Sequence, residues 1–464
     1  MKRITVAQRI AAARVVVGAA VAVGSVIAVT AAAALPWPEV ATEPRALEVA
    51  PRPAETVLAC DGPVLALGRV PEDAAALSVA APADVTAGDD AGGQPRSDAL
   101  GQPGVAGEAG ALRLVQAPTG REPVSVAAAT SATLGDEDLA GFTASACRPA
   151  QMESWIVGGD TETGTTGILL IANPGDVNAT VQVTSYGVMG PVTPPGADAI
   201  PVPARTQLAL PVAGFAGDEQ SPVLRITATG APVRASLQSS LVRTLDPGGV
   251  DSQPSVRPAL VQVIPGLTVT GDVAETEGAS TIVRLLSEGD TPATITVRDQ
   301  DGEQAIEPQH VDLAAGAPVE VELDGLDEGD YTVTVAADAP AVAAVWQTTG
   351  FGAGADFAWH TPSPAITEST LVAVPRGDDA ALHLANPSDE DVTVSVAGVG
   401  DEPKEFDVPA GGAAKIGVRG DRLYTVDPAG ASLHAAVGFA GESALASVGV
   451  WPDAAHPRPV TVYP

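Results

Sequence analysis

The sequence predicts an all-β chain: tandem Ig-like β-sandwich domains behind a single N-terminal transmembrane helix. Three observations carry this. An uncharged run of 24 residues separates Arg14 from Glu39. Beyond it, apolar and polar residues alternate over short stretches, and Gly, Pro or Asp punctuates the chain about every ten residues. A segment that opens on an apolar strand and a tight turn then occurs three times.

The apolar run comes first. Val15 to Leu35 is Val, Ala, Gly, Ile and Leu almost throughout, and Lys2, Arg3, Arg9 and Arg14 precede it with no acidic residue among them. At 1.5 Å rise, about 20 such residues cross a hydrocarbon core of roughly 30 Å. The positive-inside rule keeps the basic flank in the cytoplasm. Residues 1–14 are therefore expected as a cytoplasmic tail, 15–35 as a signal anchor in the cytoplasmic membrane, and the remainder as extracytoplasmic. A cleaved signal peptide is the competing reading, because Thr30-Ala31-Ala32-Ala33-Ala34 offers small-residue cleavage sites; the protein would then be secreted. The length of the run, 21 residues against about 7–15 for a signal-peptide core, favours the anchor.

Composition narrows the partners. There are 24 Lys+Arg against 57 Asp+Glu, a net charge of −33. With four basic residues on the cytoplasmic side, 20 remain outside against 57 acidic ones, or −37. A field of that sign repels nucleic acid, which is not expected as a partner. Aromatic residues make up only 3%, so the cores must be built from Val, Ala and Leu in stacked strands. Cys60 and Cys147 are the two cysteines. Export places them where a disulfide persists, and they are expected to pair. The chain-entropy model gives roughly 4–5 kcal/mol for a loop that long.

Residues 36–53 are Pro- and Glu-rich and read as a linker. Residues 54–150 form the expected disulfide-closed N-terminal β region, with strands at Thr56–Cys60, Val64–Leu67, Leu112–Val115 and Val124–Ala127. Within it, residues 81–110 lose nearly every large apolar side chain and are predicted as a mobile surface loop. Three β-sandwiches follow, at 151–250, 260–350 and 366–464. The first opens on Ile168-Leu169-Leu170-Ile171-Ala172 before Asn173-Pro174, and the third on Ala381-Leu382-His383-Leu384-Ala385 before Asn386-Pro387. The second is a weaker copy, with Ile282-Val283-Arg284-Leu285-Leu286 before Ser287. Ten residues after Asn173, Ser287 and Asn386 stand Val183, Val297 and Val396, each ending an alternating run. A turn and short strand come next: Val202-Pro203-Ala204, Leu313-Ala314-Ala315 and Val408-Pro409-Ala410. A closing pair of strands completes each copy, as at Tyr331–Val335 and Ala341–Trp346 in the second. Pro cannot donate to a ladder and Asn tolerates tight turns, so Asn-Pro stops one strand and starts a hairpin.

Chemistry-bearing motifs are sparse. The sequence holds no G-x-x-x-x-G-K-[ST], H-E-x-x-H or G-x-S-x-G. His310, His360, His383, His434 and His456 all lie more than ten residues apart, and His383 and His434 read as packed strand residues. Asp299-Gln300-Asp301-Gly302-Glu303 resembles the start of a calcium loop but lacks its third ligand and closing Glu; it reads as a hairpin turn. Asp136-Glu137-Asp138 and Asp389-Glu390-Asp391 read as solvated loop tips, and Asn178-Ala179-Thr180 as a sequon on a hairpin. No catalytic residue, metal ligand or cofactor is expected. Trp155 and Trp451 read as capping core residues. Trp346, Phe351, Phe357 and Trp359 cluster in a Gly-rich stretch: they pack as an interdomain plug or offer a ring surface to a sugar, and the plug is the preferred reading.

Leu58-Ala59-Cys60-Asp61-Gly62-Pro63, Ala140-Gly141-Phe142 before Cys147, Trp155-Ile156-Val157-Gly158-Gly159 and Leu169-Leu170-Ile171-Ala172-Asn173-Pro174, behind a basic start and one span, carry a resemblance. In this order they resemble an uncharacterised family of actinobacterial membrane-anchored extracytoplasmic β-sandwich proteins of unknown function. The resemblance implies no activity and associates the chain with cell-envelope glycosyltransferases only as company. The expected function is a non-enzymatic envelope structural or interaction protein, accessory to polysaccharide assembly, with an envelope protein or glycan as partner. The alternatives are a carbohydrate-binding surface protein and a hydrolase built from dispersed Asp and Glu.

Overall fold

The computed structural model describes residues 6–34, 47–49, 52–68, 76–106, 110–136, 139–216, 219–270, 281–350, 354–441, 444–455 and 460–462. The chain divides into two compact units, one made of Met1–Pro51 with Arg458–Pro464 and the other of Arg52–Pro457.

The smaller unit holds the helix Val6–Ala34, within which the 25 residues Arg9–Ala33 are long and apolar enough to cross a membrane. None of that stretch is buried against the protein. A helix apolar on every side has no solvated face, which is the pattern of a membrane span or a signal sequence. The same unit pairs Leu47–Val49 antiparallel with Val460–Val462. The expected linker 36–53 therefore contains a strand, and the last residues of the expected third sandwich pair there instead of extending it.

The larger unit is almost entirely β. In the first sandwich one sheet orders Glu153–Ile156, Val223–Thr229, Ala179–Gly187 and Gly190–Val192 side by side. The other orders Thr206–Pro211, Thr165–Asn173, Arg234–Arg243 and Asp246–Pro254. Leu169, Ile171, Val181, Val183, Ile226 and Leu237 meet between them. The period-2 alternation is visible in Ala179–Gly187, where Val181 and Val183 are fully buried and Thr180 and Gln182 exposed. The third sandwich repeats the plan with Thr370–Val374, Arg422–Asp427, Val392–Gly398 and Lys404–Val408 facing Ala413–Gly417, Ala381–Ala385, His434–Gly441 and Ala444–Gly449.

The turn chemistry recurs with the strands. Asn173 Nδ2 donates to the carbonyls of Val177 (2.8 Å) and Val202 (3.1 Å), and its Oδ1 accepts the Gly175 N–H. Asn386 makes the same bonds to Glu390 (2.8 Å) and Val408 (3.2 Å), with Ser388 N–H on its Oδ1. In the second sandwich Ser287 takes the Gly289 N–H and turns its own donor away from the hairpin, to the Pro340 carbonyl at 3.1 Å. A second clasp is common to all three: Asn178, Asp290 and Asp391 accept the N–H of Ala204, Ala315 and Ala410 at 2.8–2.9 Å.

The second sandwich departs from expectation. Tyr331–Val335 and Ala341–Trp346, read as two strands, are one strand, Gly329–Thr348. Its first half pairs with Ala259–Val269 and Thr291–Arg298, its second half with Ile282–Ser287 and Phe357–His360. The chain passes from one layer to the other around Pro340 without a turn, as corner strands do.

The predicted mobile loop 81–110 is also corrected. It contains Asp84–Asp89, Arg96–Ala99 and Val105–Ala106, each paired in a sheet. Its small residues do not fill a core of their own. They admit side chains from elsewhere: a Cβ on Gly88 would meet Leu423 Cδ1, and Thr86 Oγ1 donates to Asp421. Cys60 and Cys147 are bonded to each other within this region.

Candidate functional site

The predicted aromatic cluster converges on a groove of about 300 Å³ between the first and second sandwiches. Phe357–His360 adds to the edge of the long strand so that Trp359 lies opposite Trp346. Trp346 and Phe357 are in tilted contact at 6.3 Å between centroids. Phe357 and Trp359 are nearly buried, while Trp346 is half-buried and presents the more open ring. Phe351 lies outside the described residues. Plug and wall are thus the same residues: the rings pack with Trp155, Tyr186 and Val342 at the seam, and their outer side lines the groove.

The polar wall was not predicted. Arg284 lies in the middle of the apolar run Ile282–Leu286, is 3% exposed, and stacks its guanidinium 4.8 Å from the Trp359 ring. Its Nη1 donates to the carbonyls of Gly159 (2.6 Å) and Pro222 (3.1 Å), while Nε and Nη2 reach Glu320 at 2.8 and 2.7 Å. Burial pushes the Arg284 pKa down and Glu320 opposes it. Arg284 thereby ties the first sandwich to the second and caps one face of Trp359. The sequence signal was available: a lone charge inside an alternating apolar strand must find a buried partner.

Asp160 also lines the groove, within electrostatic reach of Arg284. Burial raises its pKa, and the Glu162 N–H on its Oδ1 (2.6 Å) counters the rise. Gln220 Nε2 donates to Glu162 at 2.7 Å across the rim. On the floor, Ser239 is 7% exposed and its hydroxyl has no hydrogen-bond partner. Ser240, Thr166 and Arg243 also line the groove.

The other residues singled out by sequence lie elsewhere. The Cys60–Cys147 bond flanks a buried ion pair, Asp61 with Arg234, which Ser145, Ser236 and Ser252 also hydrogen-bond. His360 is bonded to Gln347 (2.9 Å) and His434 to the Ser363 carbonyl (2.6 Å). Burial pushes His360 down to about 3 and His383 to about 4. Asp299 closes its own hairpin by accepting the Glu303 N–H. Among the described residues, no group of three or more His, Cys, Asp or Glu side chains converges in a way that could hold a metal.

The model of a family of unknown function, DUF5719, matches residues 103–419. The chain belongs to that family. The DUF5719 match spans every residue named in the groove, from Gly159 to Trp359, and begins within the disulfide-closed region. No curated protein and no solved structure matches the chain.

Proposed function

We propose that this DUF5719 protein is a non-enzymatic cell-envelope interaction protein, held by residues 15–35 in the cytoplasmic membrane with its β unit on the outer side. The observation that carries the reading is the 25-residue apolar helix stretch, unburied and preceded by basic residues, ahead of a strongly acidic β unit. The positive-inside rule supports the orientation, and the Cys60–Cys147 bond suits an oxidising compartment. The groove between the first two sandwiches is the contact point for an envelope protein or glycan: it is concave, part apolar, and edged by a few converging polar groups.

Three measurements test this. Protease added to intact spheroplasts should digest the β unit and leave the anchor in the membrane; protection of the β unit would overturn the orientation. Amino-terminal sequencing of the mature protein should return a chain that retains Val15–Leu35. A start just after Ala33 or Ala34 would replace the tethered protein by a secreted one. Chemical crosslinking on cells, read by mass spectrometry, should recover one reproducible envelope partner on Glu162 or Gln220.

A further inference from the structure

We infer that the groove takes a saccharide unit that is neutral or amine-bearing, not an acidic one. This rests on the interaction reading above and names the ligand class of the same site. Three features of the groove carry it.

The first is the pairing of ring and hydroxyl. Sugar rings offer apolar C–H faces and equatorial hydroxyls together. Trp346 supplies an aromatic wall, and Ser239 supplies a buried hydroxyl with no protein partner. A buried hydroxyl left unpaired is costly, so the fold gains when a ligand group bonds to it. Apolar ligands would leave it unpaired.

Size is the second feature. At about 300 Å³ the groove stands at the small end of ligand cavities, which run from about 300 to 1,000 Å³. That suits a single sugar or a disaccharide end and not the long face of a polymer.

Charge is the third. Glu320 is consumed by Arg284, whose Nη1 is held by the Gly159 and Pro222 carbonyls. The other ionisable residues along the walls are Asp160, Glu162 and Arg243. The lining is therefore net negative, inside a chain of net charge −33. A uronic acid or phosphosugar entering it is repelled, and an amino sugar is attracted.

The test uses the full chain in a detergent without sugar headgroups, titrated with glucosamine, galactose and glucuronic acid and read by saturation-transfer-difference NMR. Glucosamine and galactose should show transfer, and glucuronic acid at least tenfold weaker binding. Ser239→Ala should weaken binding several-fold, and Trp346→Leu at least tenfold. Glucuronic acid binding as well as glucosamine would overturn the charge assignment. Transfer unchanged in both variants, or no transfer from any sugar, would overturn the saccharide assignment. Ser239→Ala changes one buried atom and is expected to fold, so it decides the matter if Trp346→Leu does not. A photoreactive residue at Gln220 in cells separates the two levels. A protein adduct with no sugar transfer discards the saccharide and keeps the interaction reading; no adduct and no transfer discards both.

Discussion

Two sets of buried carboxylates hold the large unit together by opposite means. Asp61, 5% exposed, is matched by a cation: Arg234 grips both its oxygens, and Ser145, Ser236 and Ser252 add hydroxyls. Asp356 and Asp251 are as deeply buried and are matched chiefly by backbone. Asp356 accepts four N–H groups, from Phe142 (2.8 Å), Leu445 and Phe357 (3.0 Å each) and Val250 (3.2 Å). Those donors belong to the N-terminal region, the third sandwich, its own strand and the first sandwich. Asp251 Oδ2 accepts the Trp359 N–H at 2.8 Å, directly behind the groove. The difference separates two jobs. A cation fixes a carboxylate's charge, whereas backbone donors fix its position and leave the charge exposed to the cost of burial.

The protonation behaviour follows. Burial would raise Asp61, but the Arg234 charge and the bonds from Arg234, Ser145 and Ser236 outweigh it and hold the group at about 2. Burial lifts Asp251 to about 7 against the Trp359 and Ser252 N–H bonds, and Asp61 nearby adds to the rise.

The largest expected effect breaks the charge pair. Arg234→Met leaves Asp61 buried without its cation and should cost about 3–5 kcal/mol in urea unfolding at pH 7. Adding Asp61→Leu should return much of that loss. A single variant within about 1 kcal/mol of the parent would show that the serine hydroxyls alone support the carboxylate.

Burial pushes both backbone-held carboxylates up, but Asp356 has four N–H donors to satisfy against two at Asp251, so the same Asp→Asn change should act in opposite directions. At Asp356 it puts an amide donor against N–H donors and leaves at least one of them unpaired, costing about 3 kcal/mol. At Asp251 it removes a charge that burial disfavours. Folded Asp251 keeps its proton to about 7, while the unfolded group loses it near 3.8. The folded state thus binds more protons in that window, and wild-type stability falls as pH rises from about 4 to about 7. One pH unit is worth about 1.4 kcal/mol, so Asp251→Asn should gain roughly 2–3 kcal/mol on the parent between pH 5 and 7 and nothing further above. Asp61 works the other way: its contribution is present above about 4 and is lost as pH falls towards 2. Urea midpoints from pH 3 to 8 check both signs. A gap between parent and Asp251→Asn that narrows with rising pH would contradict the assignment.

The strand pattern was legible because period 2 survives in strands such as Ala179–Gly187, Thr291–Arg298 and Val392–Gly398, and the Asn-Pro turns were legible because two copies keep the same offset. Three things were not. Pro340 reads as a strand end, yet a corner strand can pass through such a residue when both halves find partners. The stretch 81–110 lacks large side chains, and sequence does not show that Leu423 arrives from far along the chain to pack on Gly88. For the groove, the rings were visible as a cluster, but Ser239 and Asp160 lie far from them in sequence and look like any strand serine or loop aspartate. Only Arg284 stood out, as a charge in an apolar run, and its partner Glu320 was hidden by distance along the chain.

The neutral end of the comparison gives the smallest effect. Asn386 clasps a hairpin with no charge at all, donating to the Glu390 and Val408 carbonyls and accepting the Ser388 N–H. Asn386→Ala should cost about 1–2 kcal/mol, because water reaches the freed groups of the exposed residues Ser388 and Glu390 while the bond to buried Val408 is lost outright. Nothing in the clasp titrates between pH 4 and 8, so that cost should stay flat where the Asp251→Asn difference climbs. Ser287→Ala, which removes one acceptor bond from Gly289 and one donor bond to Pro340, should cost less than Asn386→Ala. Equal losses at the two positions would mean that the Ser287 bond to the Pro340 carbonyl holds its corner as strongly as the two Asn386 donor bonds hold their hairpin.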